Sequence, residues 1–425
     1  MLTVYSDQIS PRLKYICQAI FEDLLDVPYR LTDDQTVLKQ ADAALNYSNQ
    51  VIADVPFIRP HALLYETGVR AQQVLLSAEK TLFPCESDFV AHDALSSAFF
   101  MLSRYEEYLE KERDSYGRFK SSSSLMGKSK MLHRPLVDHW TLEFYKTLQA
   151  KFPALPASSK KFRQLSTFDI DVAYAYKGRS WWRRTRSSVQ DFFRFKFARI
   201  KERKSVLRGD QEDPFDSYSY LQKKHAEHKL DAHFFFLLGD YGKLDKSLSY
   251  RRKEMERLIV GISTWAEVGV HPSMASNEKP KLLQRECKRL QKLSGKKVDS
   301  SRQHFLYLDL PITYRHLIAQ GIEIDFSMGY ADHAGFRAGT SHAFRWYDLM
   351  KEETTPLFLM PLSYMDASLM DYQGLDPDEA KQHIALIKNE VKAVNGTLVS
   401  LWHNNTVSDH GEWKGWQAVF ESSLD

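Results

Sequence analysis

After residue 162 the chain alternates short apolar runs with amphipathic stretches, and this alternation limits the folds open to it more than any other feature. The runs are RQLSTFDI, AHFFFLLG, AEVGVHPS, HFLYLDL, IEIDFSMG, PLFLMPLS and TLVSLWHN. Several are almost continuously apolar, as strands covered on both faces must be. Between them, SYRRKEMERLIVGISTWA and PDEAKQHIALIKNEVKAVNG carry helical periodicity, the second ending in an Asn-Gly stop. Strands alternating with crossover helices imply an α/β architecture of about seven parallel strands, as in a β/α barrel.

Residues 1–155 read differently, as a smaller α+β domain in which short strand-like pieces mix with helices. Its clearest helix is HDALSSAFFMLSRYEEYLEKE, where Leu95, Ala98, Phe99, Leu102 and Leu109 form one apolar face. The stretch DSYGRFKSSSSLMGKSK is polar and serine-rich and predicts a mobile surface loop. KFPALPASSKK concentrates Pro, Ser and Lys and marks a boundary, so a second domain is expected over 162–425.

A chain of 425 residues with a 43% hydrophobic fraction can bury a large core, and a net charge of +3 is too mild to imply nucleic acid. The three cysteines, Cys17, Cys85 and Cys287, lie far apart, which excludes a C-x-x-C zinc site and points to a reducing compartment. The N-terminus carries no basic segment followed by an apolar one, and no run reaches the roughly 18 apolar residues of a membrane span. The expectation is a cytoplasmic protein, peripheral to the inner membrane at most.

In a parallel β/α barrel, functional groups gather where strands end. Asp169 and Asp171 close the first run, His271 the third, Asp325 the fifth and His403 the seventh, and Asp366 follows the sixth. Two carboxylates one residue apart repel each other unless a cation or a shared proton lies between them, the arrangement used in metal and acid–base sites. Solvated strand ends and turn starters give the same spacing. The joint placement of these residues is what favours chemistry.

Several short motifs in this order resemble the polysaccharide deacetylase family, carbohydrate esterase family four. TFDID resembles the family's T-F-D-D, with Ile170 inserted. VGVHPSMASN resembles H-S/T-x-x-H, SRQHF falls at an Arg-containing third motif, IDFSMGYADHAGFRAGT resembles a fourth region, and LWHN resembles L-x-H. The resemblance spans about 163–410 and implies a distorted β/α barrel that acts as a metal-dependent carbohydrate de-N-acetylase, with zinc the expected metal. It implies Asp169 as catalytic base, Asp171 and His271 as metal ligands, Arg302 as the group that orients the base, and His403 as general acid. One position departs. The family's second metal histidine falls at Ala275, where an introduced histidine is expected to tighten zinc binding. Ser273, Asn277, His304, Asp325 and Arg337 are the candidates for substrate binding or for a substitute ligand, and His333 is a further candidate for the substitute ligand. A two-ligand metal, a replacement ligand and a metal-free C–N hydrolase are three outcomes of this departure, and a glycan-binding barrel without turnover is a fourth. The N-terminal part, including SRYEEYLEKERDSYGRF, resembles the leader domain of bacterial deacetylase-like proteins.

One stretch lies outside these motifs. In residues 177–208, YKGRSWWRRTRSSVQDFFRFKFARIKERKSVLR without its first residue, cations such as Arg183, Arg184 and Arg186 alternate with Trp181, Trp182, Phe192, Phe193, Phe195 and Phe197. Such a mixture suits an anionic membrane surface or an acidic glycan. A helix laid over the barrel with its Phe side chains buried would show the same composition. The expected partners are therefore a carbohydrate and an anionic membrane surface, with no nucleic acid.

Overall fold

The structure is a computed structural model that describes the chain apart from Asp88 and the side chains of Arg183, Arg184 and Arg186. Expectations about those three arginines thus lie outside the described residues.

The first sheet contains β1 (Leu2–Tyr5), β2 (Tyr29–Thr32), β3 (Ala44–Tyr47) and β4 (Phe57–Ile58), in the order β2-β1-β3-β4 with every pairing parallel. The expected α+β arrangement is thereby corrected to α/β. Helices Pro11–Gln18 and Gln35–Lys39 stand between successive strands, so each strand returns in the same direction. Ser10 starts the first helix by accepting the Leu13 N–H, with Pro11 in its first turn.

The second sheet has nine strands where about seven were expected. They are β5 (Arg163–Ile170), β6 (Asp231–Phe236), β7 (Glu267–Val270), β8 (Ser300–Ser301), β9 (Ile324–Asp325), β10 (Phe344–Asp348), β11 (Glu353–Leu359), β12 (Tyr364–Met365) and β13 (Thr397–His403). Their order is β10-β11-β9-β8-β7-β6-β5-β13-β12, parallel throughout except for the β10–β11 edge hairpin. β10 and β12 stand at the two edges, so among the described residues hydrogen bonding closes no barrel. β8, β9 and β12 are two residues each, too short to leave a periodic signature. HFLYLDL is no strand: His304–Leu306 form a 3-10 turn, and Phe305 and Leu306 take left-handed φ of +61° and +53°.

Both faces of this sheet are buried. Phe168 and Phe234 stack with ring centres 4.7 Å apart on the helix side, and Phe420 meets Phe168 edge-on. On the other face Phe235, Phe326, Leu362, Val399 and Leu401 form a separate inner cluster. Burial of each such side chain stabilises by about 1.5–3 kcal/mol, which accounts for the continuous apolar runs.

The segment expected to form one amphipathic helix breaks in two, Ala94–Leu102 and Tyr105–Leu109, at Arg104, whose φ is +55°. The first piece is buried on all sides. Nor is DSYGRFKSSSSLMGKSK a surface loop. Arg118, Phe119, Ser121, Ser124 and Met126 are buried, and the segment folds into two short helical turns, Ser121–Ser123 and Leu125–Lys128. Serine-rich composition misleads here because Ser124 caps the second turn through the Gly127 N–H, and Ser121 donates to Asp332.

A buried ion network ties the first 153 residues to the large sheet's loops. Glu107 accepts from Arg104 Nε at 2.8 Å and from Arg337 Nε and Nη2 at 2.8 and 2.5 Å. Burial would raise the Glu107 carboxyl, but Arg337 and Arg104 outweigh it and hold it at about 2. A carboxylate held below its ordinary value of 4.5 contributes stability that is complete above that value and is lost as pH falls through about 2. Glu107→Ala leaves the buried Arg337 guanidinium without a carboxylate partner and Arg104 with Glu106 alone, and is expected to cost about 3–5 kcal/mol at neutral pH, measured by urea unfolding. A loss below about 1 kcal/mol would show that the network is not what joins the two parts.

Candidate active site

The sheet's strand ends converge on one cavity of about 200 Å³, lined in part by Asp169, Asp171, His271, His304 and His403. A larger cleft, about 1200 Å³, opens in the N-terminal segment. Among the described residues, however, the one cluster able to hold a metal ion is Asp171, His271 and His304, in the smaller cavity.

Register assembles the acid–base pair. β13 pairs with β5 so that His403 stands beside Asp169. Asp169 is 3% exposed, and Arg302 Nη1 donates to its Oδ1 at 3.4 Å. Arg302 is fully buried, its Nε donates to the Phe326 carbonyl, and its guanidinium lies 4.8 Å from the Phe235 ring centre. His403 Nδ1 faces Asp366 Oδ1 at 2.9 Å, while Asp366 Oδ2 also accepts the His403 backbone N–H and the Thr406 hydroxyl. Burial works against the imidazolium, but Asp366, with Asp171 and Asp169 beyond it, raises His403 to about 10. His403 is thus a proton donor held in one orientation, with Nε2 3.7 Å from Asp171 Oδ2.

Asp171 follows β5 directly. Its Oδ1 lies 3.2 Å from His271 Nε2 and 3.5 Å from His304 Nε2. His271 Nδ1 donates to the Arg302 carbonyl at 2.6 Å, which turns Nε2 toward the carboxylate. His304 Nδ1 faces Asp245 Oδ1 at 2.9 Å. Burial lowers His304, but Asp171 and Asp245 outweigh it and raise it to about 9. Burial likewise disfavours the Asp171 carboxylate, and the two imidazoles overcome that and hold it well below the ordinary range. Yet Asp171 Oδ1 is a buried oxygen with no hydrogen-bond partner. An unpartnered carboxylate oxygen facing two imidazole nitrogens is a donor set of the kind that zinc accepts.

The other sequence candidates lie elsewhere. Ser273 is buried against Glu286, to which both its hydroxyl and its N–H donate. Asn277 turns back on the Met274 carbonyl. Asp325 is fully buried beneath the site and accepts from Ser301 and Ser327, and burial pushes it up to about 6. Arg337 belongs to the Glu107 network. His333 contacts the Ala334 carbonyl and packs near His383. Ala275 is exposed, and its N–H, like that of Met274, points to Asp245. Asp245 therefore holds both the loop at Ala275 and the imidazole of His304.

Two contributors escaped the sequence reading of the site, and a third, Asp366, was placed after a strand but given no role. Asp245 lies well inside the loop after β6, where no strand end marks it. Arg118, which also lines the cavity, had no signal, because it comes from the serine-rich segment.

Residues 2–153 match a family described as Family of unknown function (DUF7033). No curated protein matches the chain. Among solved structures the chain is similar to a protein from Mycobacterium smegmatis assigned as a polysaccharide deacetylase, at 16% identity and a TM-score of 0.41 over 63% of this chain and 84% of that one. It is similar to a protein assigned likewise from Pseudomonas aeruginosa PAO1, at 9% identity and a TM-score of 0.37 over 62% and 83%. A mutant of a CE4 family pseudoenzyme with restored enzymatic activity matches at 13% identity and a TM-score of 0.26, over 62% of each chain. Two of these three solved structures thus carry the name polysaccharide deacetylase, and the third that of a CE4 family pseudoenzyme.

Proposed function

We propose that the chain is a hydrolase that removes an acyl group, N-acetyl by the sequence resemblance, from a sugar of a cell-surface polysaccharide or lipid-linked precursor. The observation that carries this reading is the meeting of a buried, Arg-held carboxylate, an Asp-held imidazole and an Asp-His-His cluster in one cavity. Binding without turnover requires no such division of roles.

Asp169 accepts a proton from the attacking water, and Arg302 keeps its carboxylate aimed. His403 gives its proton to the departing nitrogen, held for that task by Asp366. Asp171, His271 and His304 would hold a divalent cation, His304 taking the place left by Ala275, and the chemistry it would supply is Lewis-acid polarisation of the acyl carbonyl. Leu306, Ala331, Met365 and Leu401 line the same cavity and offer apolar contact to the acyl methyl.

Acetate release from N-acetylglucosamine oligomers, with zinc and with chelator, tests the reading. Asp169→Asn keeps the side chain's size, and turnover is expected to fall by at least about 100-fold, the range of a lost general base. Retained activity in the mutant would sink the assignment of the base, and wild-type turnover that survives chelator would favour the metal-free alternative. Separately, Asp245→Ala is expected to weaken zinc affinity by about 10–100-fold, read by competition with a chromophoric chelator, because His304 loses its orienting partner. Unchanged affinity would remove His304 from the ligand set.

The same protein docks on an anionic membrane surface through residues 177–208. What supports this is a hairpin of helices Trp181–Phe193 and Phe197–Arg208 whose aromatic side chains face water: Trp182 is 74% exposed and Phe195 80%. The expectation of buried Phe side chains does not hold. Arg203 joins its two helices through Asp191 and Ser188, and Glu202 attaches the hairpin to the rest through Tyr176 and His410. The segment carries twelve basic and two acidic residues in a chain of net charge +3. Rings at the interface beside cations near lipid phosphates would resolve that exposure. No helix among the described residues is long and apolar enough to cross a membrane. Sedimentation with phosphatidylglycerol-containing vesicles is expected to pull down the protein at low salt, and Trp182→Ser with Phe195→Ser to weaken it. Equal binding to neutral phosphatidylcholine vesicles would refute the electrostatic part.

A further inference from the structure

Arg118 belongs to the N-terminal segment, yet it lines the same cavity as Asp169, His304 and His403. It is 5% exposed and held on three sides. Its Nε donates to Asp114 Oδ2 at 2.7 Å, Nη1 to the Phe305 carbonyl at 3.1 Å, and Nη2 to the Tyr372 hydroxyl at 3.1 Å. Those bonds engage three of the five N–H groups of a guanidinium, and the remaining two, one on each terminal nitrogen, meet no further hydrogen-bond acceptor among the described residues.

The surroundings are built closely around this group. Tyr116 stacks on Phe305 with ring centres 5.0 Å apart, and Gly117, at φ +83°, lies so near Tyr307 that an added Cβ would stand 3.1 Å from its ring. Phe305 and Leu306 are consecutive non-glycine residues in left-handed conformation. Backbone of that kind persists only where neighbours enforce it, and it gathers at ligand sites. Tyr372 is 46% exposed, with the Arg118 guanidinium 5.6 Å from its ring centre, and Asp371 lines the cavity beside it.

We propose that Arg118 is a substrate-binding residue supplied by the N-terminal segment, and that it donates its two open N–H groups to hydroxyl oxygens of a neutral sugar residue seated against Tyr372. The inference rests on the hydrolase reading and adds the group that recognises the sugar. Neutral chemistry is favoured because Asp114 already compensates the Arg118 charge, while an anionic sugar would meet Asp371, Asp171 and Asp169 in the same lining. Asp371 would instead accept from a sugar hydroxyl. A guanidinium fixed by three bonds before the ligand arrives loses little freedom on binding.

The test is calorimetric titration of tri-N-acetylchitotriose into the turnover-blocked Asp169→Asn protein. Adding Arg118→Gln is expected to weaken binding by about tenfold or more, the range for hydrogen bonds to a charged group. Tyr372→Ala, which alters an exposed ring, is expected to weaken it several-fold, and it decides the matter if Arg118→Gln lowers the melting temperature. Undiminished affinity in a folded Arg118→Gln protein and in Tyr372→Ala would overturn the proposal, while acetate release by the wild type would leave the hydrolase reading standing. No binding by Asp169→Asn and no acetate release by the wild type would remove that reading, and this proposal with it.

Discussion

Pairing of β13 with β5 decides where the chemistry can occur. Side chains in a strand alternate between faces, so the register that sets His403 against Asp169 also keeps Val399, Leu401 and Phe235 on the inner face and Phe168 on the helix face. A slip of one residue would exchange the faces, carrying Asp169 into the aromatic layer around Phe168 and Phe420. The apolar residues on both sides thus fix the register, and the register fixes the acid–base pair.

Three carboxylates at the cavity have basic partners of their own. Arg302 serves Asp169, and His403 serves Asp366. Asp171 lies between two imidazoles, each turned toward it by a second bond, from His271 to the Arg302 carbonyl and from His304 to Asp245. A single aspartate, Asp245, accepts the backbone N–H at the position where the family motif has histidine and also holds the histidine that stands in the cavity. The two facts have one structural cause, because the loops after β6, β7 and β8 meet at that carboxylate.

The N-terminal segment is bound to the rest by charges that cannot separate cheaply. Besides the Glu107 network, Asp138 accepts from the Ser341 N–H and hydroxyl, and Arg12 pairs with Glu352 at 2.6 Å. Removing either partner from such a buried pair leaves a charge without solvent or counter-ion. Through these joints the 114–118 turn is held against the Phe305 carbonyl.

By itself the sequence determined the alternation of strands and helices, the strand-end positions of Asp169, Asp171, His271 and His403, and the chemistry those residue types allow. These were legible because continuous apolar runs and helical periodicity are local consequences of burial on two faces or one. Two-residue strands such as β8 and β12 carry no period, so the strand count and the open edges were settled only by long-range pairing. His304 and Asp366 were in view and Asp245 was not, and whether His304 or Ser273 faces the cavity depends on loop geometry that no spacing encodes. Arg118 and the serine-rich segment were least legible. Their burial comes from contacts with residues nearly two hundred positions or more away, including Phe305 and Tyr372, so tertiary structure alone turned a polar stretch into a wall of the site.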